Sequence, residues 1–425
     1  MSEYSQSVRR RRVFYIPGYD PLPARRYREL YRTEGASQAQ ISGYDLELTG
    51  TDRSDGFSWG ARTKIDGHMT EAQIDVLRWS DIVQASMPDS IGATYMQMLR
   101  TTWTYIVTGT FRRLTWVAKG PVVAALYPIV VLILQALVAL LIPSILLSII
   151  SNLANSIDDS IGIQWPAWLA AGWNWMTWSI GWALTLGGAY LILQWFKAKD
   201  GKIYAYYLMH DYAYTASQNG AYPALLSDRI TEFSEQVAEA LASDVDEVLV
   251  VGHSSGAMLA VSVVANLMRD HKAQPGGPEL ALLTIGEAIP MLSFLPKARQ
   301  LRADLAYLST SDQIVWIDVT APGDGCSFAL CDPVAVSGVA PDDQKWPTVF
   351  SAAFTQSLSQ EKQDEMQWRF FRRHFQYLCA FDKPRDYDYF QITAGPRSLR
   401  DRYANRVSSH SRIDVAASKY TSIAA

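Results

Sequence analysis

Gly252-His253-Ser254-Ser255-Gly256 reads G-x-S-x-G, a pattern that presents a serine hydroxyl on a sharp turn. A serine is a weak nucleophile at its ordinary pKa. It needs a base to take its proton and an acid to hold that base in the right tautomer. EVLVV before the motif is an aliphatic, strand-like run, and AMLAVSVVA after it is a helix-like run of small residues. Strand, turn and helix in that order would hold Ser254 above a sheet. Gly252 and Gly256 relieve the crowding where strand and helix close on each other. The Ser255 backbone N–H, at the head of the helix, can donate to an oxyanion developing on a substrate carbonyl.

The elements that must position this serine are legible on both sides of it. Residues 12–17 (RVFYIP) read as a buried strand bounded by Gly18, and ARRYRELYRTEG as a helix ending at Gly35. YDLELTG and TEAQIDVLRWSD alternate apolar and polar residues, as half-exposed strands joined through the loop around Asp52 to Gly67 would. Further on, KIYAYYLMH reads as a strand, DRITEFSEQVAEALAS as an amphipathic helix, and LALLTIGE and QIVWIDVT as strands. Strands alternating with helices predict an α/β fold with a mainly parallel sheet flanked by helices. No internal repeat or low-complexity segment interrupts the pattern.

The elbow and the α/β alternation resemble the α/β-hydrolase superfamily, in particular its serine esterases and lipases. The resemblance implies a Ser, acid, His chain order. The acid then falls just beyond a late strand, where QIVWIDVTAPGDGCSF offers Asp324 in a Gly-flanked turn, with Asp332 as the alternative. Asp318 reads as part of the strand and Glu287 as the end of an earlier one. The histidine is His374 in WRFFRRHFQYL, after a short aromatic strand-like run and opening a helix, or His410 in a polar tail expected to be poorly ordered. His374 sits in an H-x-x-Y segment like that of some lipases. The resemblance also implies an oxyanion donor after an upstream strand; Ile16-Pro17-Gly18-Tyr19-Asp20 matches, with the Tyr19 N–H as the donor. His253 reads as a local packing residue, and His68, His210 and His271 as surface or loop residues. The chain departs from the family in that its oxyanion-type strand comes first, where many members have an antiparallel pair before it.

A second departure is an insertion between that strand and the elbow. Residues 121–157 carry no charge, nor do residues 161–196, and each run exceeds the roughly 20 apolar residues that cross a bilayer. Seven of the fourteen tryptophans fall from Trp165 to Trp195, with Trp165, Trp168 and Trp195 near the ends of the second run. Pro128 and Pro143 are expected to kink the first span, and Ala183 with Gly187 to offer a small-xxx-small surface to it. Residues 92–119 read as a helix lying on the interface. The expected division is an N-terminal part of the hydrolase-like domain (1–118), a transmembrane hairpin (119–198) and a C-terminal part carrying the elbow (199–425). Arg112, Arg113 and Lys119 before the hairpin, and Lys197, Lys199 and Lys202 after it, put both termini and the catalytic domain on the cytoplasmic side by the positive-inside rule. Arg9 to Arg12 run directly into the first strand rather than into a signal peptide, and read as a solvated charge run.

Composition excludes other classes. The chain has 425 residues, 38 Lys+Arg and 42 Asp+Glu, so its net charge of −4 argues against a nucleic-acid partner. Cys326, Cys331 and Cys379 with six histidines show no paired zinc spacing, so neither metal nor organic cofactor is expected. The expected function is a membrane-anchored serine hydrolase cleaving a carboxylic, lipid or acyl ester, with the bilayer and that ester as partners. The alternative is a non-catalytic membrane-anchored platform with the same fold. Arg25, Arg26, Arg28 and Arg32 read as a solvated helix face, with lipid phosphate as a second reading. Two helices without an ionisable residue offer no transport path.

Overall fold

The computed structural model describes residues 7–21, 23–50, 57–161, 166–270 and 277–424; Trp165, His271 and the Asp52 end of the β2 loop lie outside them. The chain forms two compact units. One comprises Met1–Met87, Thr102–Ala124 and Tyr214–Ala425, and the other Pro88–Thr101 and Ala125–Ala213.

The first unit is built on an eight-stranded sheet ordered β2-β3-β4-β1-β5-β6-β7-β8. The strands are β1 (Arg10–Ile16), β2 (Asp45–Thr49), β3 (Ser58–Ile65), β4 (His68–Val76), β5 (Glu247–His253), β6 (Glu279–Ile285), β7 (Ile314–Thr320) and β8 (Thr348–Ser351). From β4 through β8 every pairing is parallel, and β2, β3 and β4 form an antiparallel meander. β5 is buried at every position, as a central parallel strand covered on both faces must be. Helices α1 (Arg25–Ser42), α2 (Ala224–Leu241), α3 (Gly256–Arg269) and α4 (Arg299–Ser309) cover the sheet. On one face Val13, Tyr15, Leu249, Val251, Leu283 and Ile285 pack with Tyr27 and Tyr31 of α1 and with Tyr377, Phe381 and Phe390. On the other lies α3, buried from Gly256 to Ala265. Each large side chain in such a core contributes roughly 1.5–3 kcal/mol, so these faces, not surface ion pairs, hold the strands in register.

Several expectations are corrected. The loop between YDLELTG and TEAQIDVLRWSD contains β3, joined to β4 through Asp66 (φ 51°) and Gly67 (φ 83°); two consecutive positive φ values make the hairpin turn that Asp-Gly favours. The helix expected to stop at Gly35 runs on to Ser42 and stops at Gly43 (φ 73°), whose N–H donates to Ala39 O. Gly35 is buried beside Leu46 and Phe390, where a Cβ would come within 3.1 Å of both side chains. KIYAYYLMH is not a strand: Ala205–Ala216 is a helix, because the Asp200 carboxylate accepts the N–H groups of Tyr206 and Tyr207 in its first turn and Ala205, Tyr206 and Met209 are buried together. The Arg9–Arg12 run is not simply solvated: Arg11 is buried and pairs with Glu247, and Arg12 pairs with Asp75 at 2.6 Å.

Two helices are long and apolar enough to cross a membrane, Lys119–Ser156 within the helix Lys119–Ile161, and Gly172–Ala198 within Ala167–Ala198, and from Ala125 onward they belong to the second unit. Only 22% of the first span's window and 11% of the second's are buried, whereas the core helix of a water-soluble domain is mostly buried. Where the helices do bury surface, Leu132, Gln135 and Ala139 form one stripe and Thr185 with Ala189 another. Close approach occurs at Gly188, where a Cβ would sit 2.9 Å from Pro143 Cγ, rather than at the expected Ala183 and Gly187, which are exposed. The surface expected from small-residue spacing is therefore one residue out of phase with the one formed. Residues 92–119 are helical in two pieces, Ile91–Val107 and Thr110–Val117, broken at Gly109 (φ 73°).

Candidate active site

Ser254 follows β5 directly and precedes α3 by one residue, and its φ of 58° puts a non-glycine residue in the left-handed region. Such strain persists only where the surroundings enforce it. Here the Ser254 N–H donates to Ile285 O at 3.1 Å and the Ala257 N–H to Ser254 O at 3.1 Å. A Cβ on Gly252 would lie 2.6 Å from Ala257 Cα and Ala260 Cβ, and one on Gly256 would lie 2.3 Å from Ile16 O. Both outer positions of the motif thus admit only glycine. Ser254 is partly exposed, and among the described residues its hydroxyl makes no hydrogen bond. Catalytic contacts of this kind are often long without substrate and tighten with it.

The loop after β1 covers the serine. A Cβ on Gly18 would lie 3.0 Å from Ser254 Cβ, and Pro17 O accepts the Trp79 Nε1–H at 2.9 Å. The Tyr19 N–H donates to Ser255 Oγ at 2.8 Å. For it to serve an oxyanion, the Ser255 hydroxyl must yield its place. The Ser255 N–H stands at the first turn of α3, where helix N–H groups lack intrahelical partners.

Asp324 lies in the Gly323–Gly325 turn past β7, fully buried, and accepts the Nδ1–H of His374 at 2.8 Å. Tyr377 Oη donates to the same Oδ2 at 3.1 Å, and the Cys326 N–H to Oδ1 at 3.0 Å. Burial pushes this carboxyl's pKa up, but the neighbouring His374 and these hydrogen bonds outweigh burial and hold it below the ordinary value. The carboxylate therefore stays charged and fixes His374 with Nδ1 protonated, leaving Nε2 as the basic nitrogen. His374 closes a short helix, Phe370–His374, and leads into the 3₁₀ turn Phe375–Leu378. The aromatic run before it is helical, not strand-like, and the histidine ends the helix instead of opening it. The Arg373 N–H bonded to Arg369 O makes that turn.

Asp332 is not at this histidine. Its carboxylate caps the turn Pro333–Val336, accepting the N–H groups of Val334 and Ala335. Asp318 lies in β7 and Glu287 just beyond β6, both buried, with Asp318 Oδ2 and Glu287 Oε1 unpartnered among the described residues. His410 is exposed, in a tail that is tied down rather than loose: the Ser409 N–H bonds Val349 O and the Ile413 N–H bonds Leu330 O. His210 is a buried helix residue bonded through Nδ1 to Gln97 Oε1 at 2.8 Å, and burial lowers its pKa to about 4.

Three further residues join the site, and of these only Tyr377, at H-x-x-Y spacing, carried a sequence signal. His253 stacks on His374, centroids 4.8 Å apart and planes 27° apart. Burial, and then His374, push the His253 pKa down to about 3, so the ring is neutral. Its Nε2–H donates to His374 O at 3.1 Å, which leaves Nδ1 to accept from Tyr15 Oη at 3.2 Å. Gly286 (φ 53°) makes room: a Cβ there would lie 2.6 Å from Tyr377 Cε2 and 3.3 Å from His374 Cε1. Tyr377 sits at H-x-x-Y spacing after His374, and its hydroxyl reaches Asp324. One group of possible metal donors also lies here, since ligand atoms of Asp324, Cys326 and His374 lie within 4.8 Å of one another.

The geometry provides a strained, partly exposed serine, a histidine oriented by a buried carboxylate, and helix N–H groups at the serine. That arrangement can carry out acyl transfer. Comparison with protein-family models, curated proteins and solved structures yields no match to this chain.

Proposed function

We propose that this chain is a serine hydrolase of α/β-hydrolase type, held at a membrane by its helical hairpin and acting on a carboxylic ester. The observation that carries the reading is Ser254 at φ 58° between β5 and α3, with the buried His374–Asp324 pair grouped around the same Ile285–Gly286 backbone. In this reading Ser254 Oγ bonds to the ester carbonyl carbon as its proton passes to His374 Nε2. The resulting oxyanion is held by the Ser255 N–H and by the Tyr19 N–H once Ser255 Oγ releases it. His374 returns the proton to the departing alkoxide as the ester C–O bond breaks, and water cleaves the acyl-enzyme by the same route.

Lipid or long-chain acyl esters are the proposed substrates, because the two long apolar helices support membrane attachment. An open groove of about 670 Å³ lined by Pro23, Arg25, Arg26, Arg28, Glu29 and Arg32 supports an anionic head group. The charge pattern of the hairpin flanks supports a cytoplasmic catalytic unit with both termini on that side. A fluorophosphonate probe tests the reading on the detergent-solubilised full chain: it should label the wild type and fail on Ser254→Ala. A folded wild type that takes no label would favour a non-catalytic platform. Graded p-nitrophenyl esters and phospholipids would then rank the substrates.

A further inference from the structure

We propose that Asp324, Cys326 and His374 form a binding site for a thiophilic divalent cation of the zinc class, and that its occupation switches the hydrolase off. The inference rests on the hydrolase reading above for its consequence, but not for the binding itself.

One ligand atom each from a carboxylate, a thiol and an imidazole lie within 4.8 Å of one another. Zinc bonds of about 2.0–2.3 Å bring tetrahedral donors to roughly 3.3–3.6 Å, so small side-chain rotations close the cluster. Cys326, unlike Cys331 and Cys379, is only partly buried and can make that adjustment. Asp324 and Cys326 come from one turn, which the Cys326 N–H closes on Asp324 Oδ1 at 3.0 Å. The other two thiols are buried, with the Cys379 pKa pushed up to about 12, and belong to no such cluster among the described residues. Thiolate, imidazole and carboxylate together suit zinc and discriminate against magnesium and calcium, which prefer oxygen alone. Three protein ligands leave a fourth position for water.

Whichever histidine nitrogen binds, catalysis stops. Coordination through Nδ1 severs the bond to Asp324, and coordination through Nε2 removes the base that would take the serine proton. No redox change is involved: the thiol loses one proton to solvent as the sulfur–metal bond forms, and loss of the metal restores it.

The test uses the full chain in detergent with Co²⁺ and Zn²⁺. Cobalt should give a near-ultraviolet thiolate charge-transfer band at one equivalent, retained in Ser254→Ala and weakened more than about 100-fold in affinity by Cys326→Ser. Saturating zinc should slow fluorophosphonate labelling of the wild type by about 100-fold or more, and the same variant compared with and without zinc should lose that response. Should Cys326→Ser not fold, iodoacetamide mapping of the wild type replaces it, with zinc at 100 times its Kd protecting Cys326 by roughly 100-fold. A wild type without the thiolate band, a band that persists in Cys326→Ser, or unchanged Cys326 alkylation would overturn the site. A protein that shows the band yet never takes the probe would sink the hydrolase reading alone.

Discussion

The ring of His253 lies 4.8 Å from that of His374, nearly parallel to it, and donates a hydrogen bond to the His374 carbonyl. The variable residue of the serine motif thus supports the imidazole proposed to activate the serine. Because His253 is neutral above a pKa of about 3, it adds no competing charge at working pH.

Asp324→Asn separates the two aspartates that the sequence left as alternatives. An amide in place of the carboxylate can hold the ring in the wrong tautomer, which in serine triads costs about 10⁴ in kcat. Esterase kinetics should show a loss of that order with the fold intact. Asp332→Asn instead weakens a cap, at a cost of about 1 kcal/mol or less in stability, and should leave kcat within about twofold. Equal losses in the two variants would contradict the assignment of Asp324.

Gly18 and Gly256 predict different failures. A Cβ on Gly256 meets the Ile16 and Pro17 carbonyls at 2.3 and 2.4 Å, backbone that cannot step aside, so Gly256→Ala should prevent β1 from pairing with β5 and give insoluble protein. A Cβ on Gly18 meets Ser254 Cβ at 3.0 Å and Ser255 Oγ at 3.3 Å, contacts that a shift of a few tenths of an ångström relieves. Gly18→Ala should fold, with a circular dichroism spectrum like the wild type, and label at least about tenfold more slowly, because misplacement of this size at a reacting centre is costly.

The strand-turn-helix around Ser254 was legible because glycine spacing and the change from strand to helix period act locally. The turn that carries Asp324 was legible because a Gly-flanked run after an apolar strand is also a local signal, whereas the choice of an acid after that strand came from the family resemblance, which left Asp332 open. The parts that failed depend on caps, turns and contacts that the apolar pattern alone does not record. YAYYLMH has the composition of a strand, and Asp200, which caps it as a helix, decides otherwise. β3 lacked a continuous apolar run, and its Asp66-Gly67 turn was the overlooked signal. β8 is four residues long and gains its partners only through β7 and the tail at Ser409. His253 and Gly286 join the site because β5 and β6 are neighbours, which no spacing records.

Glu287 and Asp318 predict an alkaline weakness. Burial raises both carboxyl pKa values, Asp318 to about 8; Asp318 and Asp332 add to the rise at Glu287, and Asp332 to that at Asp318. The folded state therefore holds protons that the unfolded chain releases near pH 4. This contribution is fully present below that unfolded pKa and is lost as pH rises through the folded values. Thermal unfolding of the wild type should show Tm falling from about pH 5 to pH 8, and Glu287→Gln should flatten that slope. Asp324 has the opposite sign: its pKa is lowered on folding, so its contribution disappears as pH falls through the acid range. A wild-type Tm that rises steadily across neutral pH would exclude the buried protons.

The seam of the hairpin can be tested with two adjacent glycines. A Cβ on Gly188 would meet Pro143 Cγ at 2.9 Å and Cβ at 3.1 Å, whereas one on Gly187 meets nothing within 4 Å. Pro143 is a rigid ring inside a helix and cannot rotate away, so Gly188→Val must push the helices apart. Ala139 and Ala189 are apolar residues buried on the two helices, whereas Leu132 is buried with Met98, Ala205, Tyr206 and Met209 and should not feel the change. In a bilayer the apolar loss is one of packing rather than of hydrophobic burial, so the expected cost is moderate, about 1–3 kcal/mol as for other overpacked sites. Gly187→Val adds a methyl-bearing side chain to an open face and should be neutral within about 0.5 kcal/mol. Detergent-solubilised Tm measurements on the pair should therefore differ in one direction only, with Gly188→Val lower. Equal Tm values would mean that the helices do not meet at Pro143, and the reverse order would place the seam at the small residues one turn face away.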